Sequence, residues 1–234
     1  MERASRIQPP PPGYKFPDGQ TYVYEVEWRL WNAGTATLRM EPAGAERHVH
    51  GAGDSLGFVA LLYKVHDTFD SYFDPKTFCS SRIQKHTEEG SRRVENTNRF
   101  DYQRRKAVLQ QVNLRNGDRK QVEHDIPDCV TDVISAIFYV QSLPLAAGAT
   151  YEFPLNDGGE TLDVKVNVEA REGVKTPSGT FRTVRVQPEA SKGPLNGRGH
   201  IWVWYTDDAS HIPVQMRARM FWGTLTLRLA RVEK

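Results

Sequence analysis

Residues 128–143, DCVTDVISAIFYVQSL, decide the fold, because they carry the clearest helix pattern in a chain that otherwise alternates like β-strands. Asp128 or Asp132 is predicted to cap the first backbone N–H groups, and Pro127 and Pro144 bound the helix. Such a short apolar helix must pack against a sheet. Its apolar residues recur at spacings of three and four and so share one helix face: Val130, Val133, Ile134, Ile137 and Phe138.

The chain on both sides of this helix is predicted to form antiparallel strands. Residues 21–31 alternate between apolar and polar side chains, and a turn at residues 32–34 leads into a returning strand that ends at Met40. Residues 68–114 are predicted to form four or five strands, each with one solvent-exposed face. Residues 201–205, IWVWY, are apolar at consecutive positions, which predicts that both strand faces are covered, with the helices as candidates.

A second helix is predicted to follow Asp54, with its apolar side formed by Phe58, Val59, Leu62, Tyr63 and Val65. The fold class is therefore mostly β (α+β). We expect a strongly curved antiparallel sheet, an unclosed β half-barrel of about ten strands, with two short helices on the concave face.

The 234 residues suit one domain at 19–234, preceded by a Pro-rich leader or tether at 1–18. No apolar run approaches the ~18 residues of a transmembrane segment, and the N-terminus lacks the apolar core of a signal peptide. The formal net charge of +2 gives no reason to expect nucleic acid as a partner. Cys79 and Cys129 form a disulfide in an oxidising compartment or remain two buried thiols in a reducing one.

The histidines do not predict a metal site. His48 and His50 are two apart on a predicted strand and His66 follows, but zinc needs three or four ligands. No cysteine or carboxylate at ligand spacing completes the set. We therefore interpret them as surface histidines beside Arg47 and expect neither metal nor cofactor.

Other polar residues also favour structural roles over catalysis. One interpretation of His124, Asp125 and Cys129 is a thiol nucleophile with its base. The alternative is a structural cysteine, because free cysteines are usually buried and unreactive. Asp132 with Ser135 is better explained by helix capping. Two further groups are interpreted as a hairpin turn, Asp207 and Asp208, and as a solvated basic face, Arg92, Arg93, Arg99, Arg104, Arg105, Lys106, Arg115, Arg119 and Lys120.

The aromatic residues are the best candidates for ligand binding, although an ordinary core explains them too. A curved sheet of this length encloses more volume than two short helices fill, so the remainder is predicted to be an apolar cavity. The candidate ligand-binding residues are Tyr24, Trp28, Phe58, Tyr63, Ile134, Phe138, Trp202 and Trp204.

Four segments in order carry a family resemblance: residues 19–26 with 33–36, residues 132–139, residues 176–181, and residues 204–208 with 212–214. Together they resemble a family of uncharacterised exported bacterial proteins, known only as a domain of unknown function, with an architecture similar to the Lol-type lipoprotein carriers. The resemblance implies a β half-barrel with helices on its concave face, behind a cleaved export signal. It implies no activity.

Three functions remain open. The first is a non-catalytic protein of the periplasm or cell envelope that binds a lipid or lipoprotein acyl chain, or another apolar ligand, between sheet and helices. The second is a scaffold with a packed core, which contacts an envelope protein through its basic strands or a sheet edge. The third is a thiol-dependent enzyme using Cys129 and His124. Because this chain shows no export signal, the cytoplasm is the alternative location.

Overall fold

A computed structural model describes residues 6–29, 31–190, 199–220 and 223–234, in which fifteen strands and two helices form. The first eight strands are β1 (Thr21–Trp28), β2 (Trp31–Ala43), β3 (Glu46–Ser55), β4 (Val65–Phe73), β5 (Ser80–Glu89), β6 (Arg92–Asp101), β7 (Lys106–Asn113) and β8 (Arg119–Asp125). The others are β9 (Thr131–Asp132), β10 (Thr150–Asn156), β11 (Thr161–Thr176), β12 (Gly179–Ala190), β13 (His200–Thr206), β14 (Pro213–Met220) and β15 (Gly223–Glu233). The helices are α1 (Gly57–Leu62) and α2 (Ser135–Ser142).

All strands belong to one sheet, with the order β8-β7-β6-β5-β4-β3-β2-β1-β15-β14-β13-β12-β11-β10-β9. Neighbours are antiparallel except β9, which runs parallel to β10. Pairing of β1 with β15 joins the two ends of the chain. The sheet curls until Asn156 of β10 contacts Asn98 of β6 and His124 of β8, each at 2.7 Å, although β8 and β9 do not pair in the described residues. The predicted unclosed, curved sheet is therefore confirmed.

Helix α2 lies inside the curve of the sheet. Seven of its eight residues are buried, and Phe138 stacks on Tyr22 of β1 while Tyr139 meets Phe153 of β10 edge-on. The predicted helix at 128–143 is correct in place but too long, because residues 131–132 pair with β10 as strand β9 before the helix begins at Ser135.

Several details of the sequence prediction are wrong. Fifteen strands replace about ten, because the solvent-exposed strands β7 and β8 have weak apolar patterns and β9 has only two residues. Only α2 packs in the concave side, since α1 has six residues and lies beside β2 with Leu61 84% exposed. The first hairpin is present, but its turn joins Trp28 to Trp31 and residues 32–34 belong to β2.

Residues 6–18, predicted to be a leader or tether outside the domain, contact its core. Ile7 is buried, and Tyr14 and Phe16 pack against the same cluster. Asp18 forms an ion pair with Arg47 of β3 at 2.9 Å. Within the described residues, no helix has the length and apolar character that crossing a membrane requires.

Candidate ligand cavity

An apolar cavity of about 320 Å³ lies between α2 and the sheet formed by β10 to β15. Among the residues that the structure describes, seventeen line it, and Arg217 is the only charged one of these. They are Val133, Ala136, Ile137 and Val140 beside or on α2, and Phe153, Leu155, Val164, Val166, Val186, Pro188, Ile201, Val203, Tyr205, Met216, Arg217, Ala218 and Leu227 on the strands.

Strand alternation makes this wall apolar, because successive side chains point to opposite faces of a sheet. In β11, Val164 and Val166 line the cavity while Asp163 and Lys165 are exposed on the other face. In β14, Met216 and Ala218 flank Arg217, whose guanidinium lies 5.5 Å from the Trp204 ring. Arg217 therefore covers the outer face rather than placing its charge in the cavity.

The inner wall also lacks an ionised group. Tyr205 is the lining residue with an ionisable side chain that alternation points inward, and its hydroxyl donates a hydrogen bond to the Ile137 carbonyl oxygen at 2.9 Å. Burial raises the pKa of Tyr205 well above its ordinary value of 10.0, and nearby Tyr14 and Tyr22 add to the effect. The phenol is neutral at physiological pH, so the cavity offers hydrocarbon and one hydrogen-bonded hydroxyl.

A buried carboxylate holds the start of α2, and so the cavity wall, in place. Asp132 Oδ2 accepts hydrogen bonds from the hydroxyls of Ser71 at 2.5 Å and Ser80 at 2.6 Å. Its Oδ1 accepts the backbone N–H groups of Ile134 at 2.9 Å and Ser135 at 3.0 Å. The sequence interpretation of Asp132 as a capping residue agrees with this geometry, in which one carboxylate joins α2 to β4 and β5.

Other contacts hold the far end of the helix. Gln141 is buried, and its side-chain amide donates to the Ser210 backbone carbonyl oxygen at 2.8 Å. The backbone carbonyl oxygen of Gln141 lies 3.0 Å from His211 Nδ1. These bonds connect α2 to the turn between β13 and β14. Both ends of the helix are therefore fixed to strands or turns on the rim of the cavity.

A disulfide between Cys79 and Cys129 joins the segment before β5 to the segment before β9, across 50 residues of chain. Neither cysteine is free. The thiol-nucleophile hypothesis for Cys129 is therefore wrong. His124, its proposed base, instead contacts Asn156.

Seven of the eight residues predicted to bind a ligand are described with their side chains, and none of these seven lines the cavity. Trp202 and Trp204 point to the outer face of the sheet, where Arg219 lies over the Trp202 ring and Arg217 over the Trp204 ring. The helices were predicted to cover this face, but side chains from β14 cover it instead. The others lie as follows: Tyr24 and Phe138 are fully buried in the core, Ile134 and Trp28 are partly buried, Tyr63 is half exposed, and the side chain of Phe58 is outside the described residues.

The cavity is lined mainly by aliphatic residues, four of them beside or on α2 and most of the others on strands β10 to β15. The available signal was the run Leu162, Val164, Val166 and Val168, which alternates without interruption. Each of these side chains is buried, and the middle two reach the cavity.

The remaining polar candidates have structural partners. Asp207 binds the Arg171 guanidinium at 3.1 Å, and Asp208 accepts the Ser210 backbone N–H at 2.8 Å within the turn. Five residues of the basic face form ion pairs with neighbouring acids: Arg92, Arg93, Arg104, Arg105 and Lys106.

Comparisons with known proteins agree with this architecture. The model of family DUF3108, described as a protein of unknown function, matches residues 23–230. No curated protein matches the chain. Among solved structures, the chain is similar to a β-barrel-like protein of the domain of unknown function DUF1849 from Brucella abortus, with a TM-score of 0.61 and 8% identity over 92% of this chain and 96% of that chain.

Two further structures align over most of their length at low TM-scores. One is described as exported, with a YmcC-like fold, from Bacteroides fragilis, with a TM-score of 0.34 and 9% identity over 98% of this chain and 100% of that chain. The other is described as a lipoprotein from Parabacteroides distasonis, with a TM-score of 0.35 and 9% identity over 98% and 99%. Of these three structures, the Brucella protein is the one whose TM-score supports a shared barrel-like fold.

Proposed function

The chain belongs to the DUF3108 family of proteins of unknown function, and we propose that it is a non-catalytic protein of the cell envelope that binds an acyl chain or another apolar ligand. The ligand would occupy the cavity between α2 and strands β10 to β15. The observation that carries the proposal is this 320 Å³ cavity, in which none of the described side chains that point inward is charged. Its size falls in the range of ~300–1,000 Å³ that is typical of small-molecule sites.

The chemistry of the lining selects the ligand class. A wall of Val, Ile, Leu, Met and Ala side chains stabilises hydrocarbon by removing it from water, at roughly 0.8 kcal/mol for each buried methylene. A charged group placed there would lose its hydration without finding a partner. The polar end of an amphiphile would therefore remain outside the cavity.

The disulfide supports the envelope as the location. Disulfides persist in oxidising compartments such as the bacterial periplasm and are rare in the cytosol. Cys79 and Cys129 are bonded to each other. The family resemblance to exported proteins favours the same location.

A fluorescent fatty-acid titration tests the proposal. Delipidated protein should bind the probe saturably, and unlabelled palmitic acid should displace it. Ala218→Trp places a large ring in the cavity, because Ala218 lines it next to Met216. We expect this variant to lose at least tenfold in affinity.

Arg219→Trp is the matched control, since it adds the same ring one residue further along β14 and on the outer face. It should bind as the unsubstituted protein does, and circular dichroism should show both variants folded. Absence of saturable binding by the unsubstituted protein, or equal affinity of the two folded variants, would refute the proposal.

A further inference from the structure

A second cluster lies on the opposite, outer face of the sheet, far along the strand order from the cavity. His48 and His50 are two residues apart in β3 and share a face, and Asp70 of β4 is the direct cross-strand partner of His50. Asp70 Oδ1 lies 2.7 Å from His48 Nε2 and 2.9 Å from His50 Nδ1. In the part of the chain that the structure describes, these three residues form a group whose ligand atoms all lie within 4.8 Å of one another.

Neighbouring side chains hold the His48 ring. Glu41 of β2 is paired with His48 in the sheet, and its Oε1 lies 3.4 Å from His48 Nδ1. The Tyr72 ring stacks on the imidazole with 4.4 Å between centroids. A carboxylate on the second nitrogen is the usual support of a metal-binding histidine, because it fixes the tautomer that leaves the first nitrogen free to bind.

Burial raises the pKa of Asp70, but hydrogen bonds from His50 and His48 outweigh this effect, so the pKa lies below its ordinary value of 3.8. Metal ions bind the ionised form of a carboxylate and the neutral form of an imidazole.

The donor set selects the class of metal. Two imidazole nitrogens and one carboxylate oxygen suit Zn²⁺, Ni²⁺ or Cu²⁺, whereas Mg²⁺ and Ca²⁺ take mainly oxygen ligands. Ligands at ~2.0–2.1 Å from a tetrahedral ion stand about 3.3 Å apart, so Asp70 must withdraw by roughly half an ångström as the ion replaces its hydrogen bonds. The Asp70 side chain is one-third exposed, so it has room on its solvent side for this movement.

A polar cavity of about 200 Å³ adjoins Asp70 on the side of β5 and β6, with Gln84, Lys85 and Glu95 among its lining residues, whereas the two histidines lie on the β3 side of Asp70. We propose that His48 Nε2, His50 Nδ1 and Asp70 Oδ1 form a binding site for a divalent first-row transition metal ion, with Glu41 orienting His48.

The sequence argued against a metal because no carboxylate lay at ligand spacing along the chain. Pairing of β3 with β4 brings Asp70 to His50 across 20 residues, a proximity that only the register provides. The third sequence candidate, His66, lies apart from the group and contacts Asp54 alone at 2.6 Å. It is therefore a histidine–carboxylate pair without a second imidazole.

Isothermal titration of the full chain, without a polyhistidine tag, by ZnCl₂ tests the site. We expect one ion per chain, with Co²⁺ giving a visible absorption band in the same stoichiometry. His50→Ala and Asp70→Asn should each weaken binding by at least tenfold, and Glu41→Gln by about tenfold, in the range of outer-shell substitutions. Since Cys79 and Cys129 are bonded to each other, thiols do not compete for the ion.

His66→Ala is the matched control, because it removes a surface histidine with a carboxylate partner from the same sheet face. It should bind Zn²⁺ as the unsubstituted protein does. Thermal unfolding without metal establishes that each variant is folded. Lack of saturable Zn²⁺ binding by the unsubstituted protein, or equal weakening by His66→Ala and His50→Ala, would overturn the proposal.

Discussion

Removal of the disulfide should destabilise the protein more than any ordinary surface change. Cys79→Ala combined with Cys129→Ala opens a covalent link between residues 50 apart in the chain. A link of this span lowers the conformational entropy of the unfolded chain, and chain-entropy reasoning for a loop of about 50 residues gives ~4 kcal/mol at 25 °C. A domain of this size then loses roughly 8–16 °C in Tm.

The disulfide also has a local effect on the candidate site. The backbone N–H of Ser80 donates to the Val130 carbonyl oxygen at 2.8 Å, beside the two cysteines, and β9 has only two residues to pair with β10. Without the covalent link, the segment before α2 is held by these bonds and by the Asp132 contacts with Ser71 and Ser80. We therefore expect the double variant to expose the β9 amides to hydrogen exchange before the core strands.

Urea unfolding monitored by circular dichroism measures the change, with a free-thiol assay to establish that the unsubstituted protein is fully oxidised. The unsubstituted protein under reducing conditions should unfold at the midpoint of the double variant. If the double variant and the oxidised protein share one midpoint and one slope, the reasoning from loop entropy is refuted.

Two further substitutions test the buried network and the buried phenols. Asp132→Ala should cost ~3–5 kcal/mol of unfolding free energy, because four hydrogen-bond donors lose their acceptor. Asp128→Ala, at the other predicted cap, should cost little because that side chain is 81% exposed. Equal losses of unfolding free energy in urea would contradict the assignment of Asp132 as the cap. Burial raises the pKa of Tyr24 well above 10.0, so its stabilising effect is complete below pH 10 and is lost as the pH rises further. Tyr24→Phe should flatten the loss of stability above pH 10. A stability curve parallel to that of the unsubstituted protein would contradict this effect of burial.

The apolar periodicity of the sequence predicted the strands and helices that depend on neighbouring residues in the chain. The alternation of residues 21–28 predicted β1, one face of which is buried, and the apolar stripe of residues 134–140 predicted α2. These features depend on neighbours in the chain, which the sequence displays directly.

Features that depend on register across strands were not predicted. Asp70 reaches His48 and His50 only because β4 pairs with β3, and Asp132 reaches Ser71 and Ser80 only because the sheet curls over α2. The aromatic residues were predicted to line the cavity because of their size. In the structure the largest of them pack in the core or on the outer face. The cavity is lined mainly by medium-sized aliphatic residues.

The central claim is that the cavity beside α2 accepts an apolar ligand. Methyl NMR of delipidated protein titrated with palmitic acid tests it most directly. We predict saturable shifts for the methyl groups of Val164, Val186 and Ile201, which line the cavity, and no shift for Val49 and Val94, which are outside its lining. Unchanged spectra at saturating palmitic acid, or shifts spread equally over both sets of methyl groups, would contradict the claim.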